Sequence, residues 1–159
     1  MGAMKPSRLF TILAALSFTA TATIFAASAH LGTWKLDEGK SKIGPDGPKN
    51  QTVTYTEAKD GMFKLTVDGV DKEGKPIHWT WTGKFDGKQN KVEGSDKIDS
   101  IAYMAKNDHT NSATGMKDGK VVFTGTIKVA KDGKSRVVTT TISGPDGKKQ
   151  TDKAYYTKE

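Results

Sequence analysis

From Ile77 to Phe85 the chain alternates without a fault: odd positions are apolar or glycine, even positions polar. A period of two marks a strand with one buried face and one wet face. Residues 121–129 repeat the pattern, and Phe63, Leu65 and Val67 alternate with Lys64, Thr66 and Asp68. No segment beyond residue 29 keeps apolar residues at helical spacing for three turns, so no helix is expected there. Seven Asp-Gly pairs punctuate these runs, at Asp46, Asp60, Asp68, Asp86, Asp118, Asp132 and Asp146. Tight hairpins need positive φ, which Gly adopts freely and Asp tolerates better than most. Gly61, Gly74 and Gly87 are 13 residues apart, and Gly119, Gly133 and Gly147 are 14 apart. Each interval fits one strand and one turn. Turns are expected at these six glycines, with two more at Gly94-Ser95-Asp96 and Lys106-Asn107-Asp108. The expected strands run near 31–37, 51–57, 62–69, 76–85, 89–94, 98–105, 109–116, 120–129, 135–143 and 150–158.

With no helices to cover it, a flat sheet of that size would leave its apolar face exposed. Closure removes both that face and the sheet edges. The predicted fold is all-β: a single antiparallel up-and-down β-barrel of about 8–10 strands, paired in sequence order. A two-sheet sandwich is the structural alternative. The first connection, 38–50, is long and rich in Gly, Lys and Pro. Most hairpin loops are shorter. It reads either as a lid at the barrel mouth or as a loop crossing the barrel end with Ile43 as a plug.

The N-terminus is of another kind. Lys5 and Arg8 precede an uncharged run from Leu9 to Ala27, followed by the small-x-small site Ala27-Ser28-Ala29. This predicts a secretory signal peptide over 1–29, an exported periplasmic or secreted protein, and a domain over 30–159 without stable membrane insertion after cleavage. The rival is an uncleaved membrane anchor. Met1-Gly2-Ala3 before Met4 reads as an added scar or an earlier start. The domain has no cysteine, so burial and strand pairing alone must hold it. Removing Lys5 and Arg8 lowers the net charge from +7 to +5. The lysines are dispersed, and Arg136 is the one arginine beyond the leader. Nucleic-acid sites lean on arginine, so no nucleic-acid partner is expected.

No catalytic or metal motif is present. His78 and His109 lack ligand spacing, His30 would be terminal, and no nucleophile elbow, phosphate loop or zinc helix is found. No enzyme, metal or cofactor is expected. The aromatic set is more informative: by strand parity Trp34, Phe63, Trp79, Trp81, Phe85, Tyr103, Phe123 and Tyr155 can share one face. They could fill the core or line a pocket, because a ten-stranded barrel has more interior than a minimal core needs.

The string Gly32-Thr33-Trp34-Lys35-Leu36, opening the first strand, resembles the start of calycin barrels: lipocalins, fatty-acid-binding proteins and avidin-like proteins. The mature chain with its Asp-Gly-Lys turns is also similar to exported bacterial lipocalin-like proteins. The resemblance implies that Trp34 packs across the closed end of the barrel. Fatty-acid-binding proteins end with Arg-x-Tyr, which holds a ligand carboxylate; Lys153-Ala154-Tyr155 stands at the corresponding place here. Those proteins also insert two helices where this chain has only the 38–50 loop. The mid-chain Thr-Asp-Tyr-type motif and C-terminal helix of lipocalins are not found.

Two functions stay open on these grounds. One is a non-enzymatic exported lipocalin-like protein that holds a small apolar or amphipathic molecule. Trp79, Trp81, Phe63, Tyr103 and Phe123 would form the walls, Trp34 the floor, and Lys153 with Tyr155 the anchor for an anionic headgroup. The alternative is a protein-binding module of the cell envelope, such as a barrel-type protease inhibitor. Interior volume separates the two.

Overall fold

The computed structural model describes residues 28–159. The expected leader lies outside the described residues except for Ser28 and Ala29. Ten strands follow in order: β1 Gly32–Lys42, β2 Lys49–Glu57, β3 Phe63–Val70, β4 Pro76–Gly83, β5 Asp86–Glu93, β6 Ser100–Asn107, β7 Thr110–Lys117, β8 Lys120–Val129, β9 Ser135–Ser143 and β10 Lys149–Lys158. Each is antiparallel to its sequence neighbours, and β10 pairs with β1 to close the barrel. A short 3-10 turn, Lys59–Gly61, joins β2 to β3.

The turn glycines behave as their spacing predicts. Gly61, Gly74, Gly119, Gly133 and Gly147 all have φ between 69° and 81°. Gly87 shares the positive φ but lies inside β5, where the register with β6 shifts between Asp86 and Gln89. Against β6 that Asp-Gly forms a bulge, yet it is also the expected turn: Thr80 faces Glu93 and Trp81 faces Val92, which centres the β4–β5 hairpin on Asp86-Gly87, and Lys88 N–H donates to Asp86 Oδ1 at 3.1 Å. The expected loop 38–50 is shorter, because β1 continues through an irregular register to Lys42 and only 43–48 is left as the connection.

The inward faces build the core. Val53, Tyr55, Leu65, Val67, Trp79, Trp81, Ile101, Tyr103, Ile127 and Val129 are buried at alternate positions. Outward positions such as Lys64, Asp68, His78, Thr82, Thr124, Thr126 and Lys128 are exposed. A barrel in lipid would carry its apolar residues on the outside; this one carries charge and threonine there. Pairing between β4 and β5 is brief, limited to Thr80 with Glu93 and Trp81 with Val92. Trp81 closes that seam from within, its Nε1 donating to the Ile101 carbonyl at 2.8 Å.

The up-and-down topology sorts the connections. Those after β1, β3, β5, β7 and β9 lie at one end of the barrel; both ends of the domain lie at the other. Trp34 sits near the start of β1, so it belongs to the end opposite the 43–48 loop.

Candidate functional site: the barrel cavity

The interior is not filled. A cavity of about 510 Å³ runs from the 43–48 end into the barrel. Its apolar wall includes Val53, Leu65, Val67, Trp79, Ala113, Ile127 and Val138. The volume falls within the range of small-molecule pockets, and the wall is mainly apolar, with charged side chains gathered at the mouth and Arg136 within.

Aromatic rings make up the inner end. Trp34 is fully buried and donates from Nε1 to the His30 carbonyl at 2.8 Å. Phe85 is a hub of rings at this end, with ring centres at 5.1 Å to Phe63, 5.9 Å to Tyr103 and 6.1 Å to Trp81. Trp81 meets Tyr103 edge-on at 4.8 Å, a favoured aromatic geometry.

Of the eight residues expected to form the site, Trp79, Tyr103 and Phe123 border the cavity. Phe123 reaches inward across Gly115, where any β-carbon would collide with its ring. Trp34, Phe63 and Trp81 are buried but pack into the inner end and the β4–β5 seam without bordering the cavity. Lys153 and Tyr155 correct the expectation of an anchor. Lys153 is exposed, and Tyr155 lies on the same outer face with its backbone N–H donating to Ser41 Oγ at 2.9 Å. Register with β1 and β9 turns the other set inward: Asp152, Ala154 and Tyr156. The consecutive pair Tyr155-Tyr156 hid that parity from the sequence.

The cation inside the barrel is Arg136. It stands on β9 between Tyr156 of β10 and Val129 of β8, and is 3% exposed. Its guanidinium carbon lies 4.7 Å from the Tyr156 ring, 4.8 Å from Trp34 and 5.3 Å from Tyr55. These faces attract the charge, yet Nε and Nη1 have no hydrogen-bond partner. The guanidinium borders the cavity, as do Tyr55, Tyr103 and Tyr156. Burial pushes the Tyr156 phenol up to about 12 and the Tyr103 phenol well above its ordinary range. Both are therefore neutral at physiological pH.

The mouth is shaped by the 43–48 loop. Gly44 N–H donates to Asp152 Oδ1 at 2.9 Å, and Gln150 Nε2 donates to the same oxygen at 2.8 Å. Lys72 of the β3–β4 turn reaches Asp46 Oδ1 at 3.2 Å, which bridges the opening. Ile43 borders the cavity beneath this loop. Both readings of the loop thus have a physical counterpart: it spans the mouth, and its isoleucine packs inward.

The histidines make no metal cluster. His78 faces outward and shares 2.6 Å with Asp68 Oδ1, while His30 is buried at the far end. Among the described residues no group of three or more His, Asp or Glu side chains is placed to hold a metal.

No family model matches the chain, and no curated protein matches it. Among the solved structures that resemble this chain are two solved with DFHBI. EF1p2_mFAP2b, solved bound to DFHBI, is 12% identical with a TM-score of 0.51, covering 87% of this chain and 100% of that one. The redesigned β-barrel mFAP1, also bound to DFHBI, is 16% identical with a TM-score of 0.46, covering 84% and 98%. At such identities the first of these likenesses shows the fold, a closed antiparallel barrel, and nothing finer.

Proposed function

We propose that this protein is a non-enzymatic binding protein that holds one small, mainly apolar molecule inside its barrel. The observation that carries this reading is the apolar cavity of about 510 Å³, which opens at the 43–48 end. A protein-binding module would have no use for an unfilled interior, and filling it with side chains would add stability. The similar barrel EF1p2_mFAP2b, with its small molecule DFHBI, supports the capacity of the fold for this use. Titration with a panel of apolar probes, followed by tryptophan fluorescence, tests it. Trp79 borders the cavity and should report a saturable, one-to-one change. A flat response across the panel would return the protein-binding module as the better account.

Export is part of the same proposal. The basic start, apolar run and Ala27-Ser28-Ala29 support cleavage after Ala29. His30 is fully buried, and Leu31 N–H donates to the Ser28 carbonyl at 3.3 Å, so the scissile bond is folded into a turn. Cleavage would therefore precede folding. N-terminal sequencing of the exported protein should begin at His30; an intact N-terminus retained on the membrane contradicts this.

A further inference from the structure

Resting on the carrier reading above, we propose that the ligand is an organic monoanion with an apolar body. It enters acid group first, to lie against Arg136, with its body running back toward the mouth.

The argument begins with a charge that has no counter-charge. A guanidinium keeps its proton under all ordinary conditions, so burial cannot be relieved by neutralisation. Arg136 is nine-tenths buried and more, forms no ion pair with any described acid, and leaves Nε and Nη1 without acceptors. Ring faces offset the charge but accept no hydrogen bond with the strength of a carboxylate. Around it stand three phenols, Tyr55, Tyr103 and Tyr156. The Tyr156 hydroxyl already donates to the Asn50 carbonyl at 2.9 Å. With the Tyr156 proton committed to Asn50, the donors left without a partner are Nε and Nη1 of a fixed cation that has no acidic neighbour among the described residues. Such a site selects a ligand that brings acceptors and negative charge.

Direction follows from the opposite end. Asp152 is 6% exposed and sits at the mouth, held by Gly44 and Gln150. Asp46, Asp71 and Glu73 also border the opening, beside Lys72 and Lys97. A carboxylate resting at the mouth would face Asp152; one at the inner end meets Arg136. The rival reading is that Arg136 is only a structural spacer stacked on Trp34.

The test uses the whole chain and a matched pair of probes, decanoate and decanol, by calorimetric titration. Wild type should bind decanoate roughly tenfold tighter than decanol or better, as expected for a charge-assisted contact. Arg136→Met should erase that preference while leaving decanol binding in place, and Arg136→Lys should keep part of it. Equal affinity for the two probes in wild type overturns the anion proposal and leaves the carrier reading standing. Binding of neither probe sinks both. Should Arg136→Met fail to fold, wild type answers through NMR of decanoate labelled with carbon-13 at the carboxyl. The bound acid should stay ionised well below the pH at which the free acid protonates. A bound acid that protonates at higher pH than the free one, as apolar burial alone would cause, overturns the proposal.

Discussion

The Arg136 guanidinium lies over the Trp34 ring, 4.8 Å from its centre, inside a closed barrel. The pair ties β9 to β1 across the inner end, and Trp34 in turn holds the His30 carbonyl through a 2.8 Å hydrogen bond. The Lys158 ammonium also lies 5.1 Å from the same ring. Trp34→Ala should cost about 3–5 kcal/mol, as for large aromatic truncations in cores. Urea unfolding checks this; a loss below about 1 kcal/mol, the level of an ordinary surface change, would show that the inner end is not a packed core.

His30 gives a pH dependence of definite sign. Its ring is fully buried, 6.2 Å from both Tyr55 and Phe85. Burial first, then the charge of Arg136 and the neighbourhood of His109 and Lys158, lowers its pKa from 6.5 to about 3. The unfolded chain therefore binds a proton near pH 6.5 that the folded chain refuses. Stability from the neutral ring is complete above pH 6.5 and is lost as pH falls from 6.5 toward 3. The limiting slope is about 1.4 kcal/mol per pH unit, so roughly 2–3 kcal/mol should go by pH 4.5. Denaturation curves of wild type and His30→Leu at pH 7 and 4.5 measure it. The wild type should lose more than the variant by about that amount; parallel losses would count against the burial of a neutral ring.

Ala113 is 4% exposed and borders the cavity at mid-barrel. Ala113→Phe should fill that space and weaken binding of apolar probes by roughly tenfold or more, as the lost pocket volume implies. Lys153→Met, on the wet face, should change neither binding nor stability beyond about 0.5 kcal/mol. Fluorescence titration of both variants distinguishes an interior site from an outer one. A large effect from Lys153 with none from Ala113 would place binding outside the barrel.

The 43–48 loop rests against Asp152 without slack. A β-carbon on Gly47 would collide with the Asp152 carboxylate and lie 2.7 Å from Ile43 Cγ2. Gly47→Ala should push the loop off the mouth at a cost of about 1–3 kcal/mol, the usual range for overpacking. Stopped-flow dissociation should then be faster than in wild type. Unchanged dissociation would mean that the loop does not gate the cavity.

Strand number, order and most turns were legible because Asp-Gly spacing and period-two alternation act locally. Gly61, Gly74, Gly119, Gly133 and Gly147 take the positive φ their turns require. Asp86-Gly87 serves twice, as the centre of the β4–β5 hairpin and as a bulge against β6, because both ask for the same backbone conformation. The site was harder to read. Residues 135–143, Ser-Arg-Val-Val-Thr-Thr-Thr-Ile-Ser, carry two adjacent valines and three adjacent threonines, so alternation does not say which set faces in. Only pairing with β8 and β10 turns Arg136, Val138, Thr140 and Ile142 inward. The one signal available was that a lone arginine stood within a predicted strand. Lys153 drew attention through a family likeness at the next strand, where register, a long-range property, put it outside.

Native mass spectrometry of the protein purified from its own host tests the central claim most directly. The account predicts a folded wild-type species heavier than the denatured chain by one small organic molecule. That extra mass should vanish on unfolding, be displaced by added decanoate, and be missing from Ala113→Phe. A bare folded mass that takes up no decanoate would contradict a ligand-holding barrel.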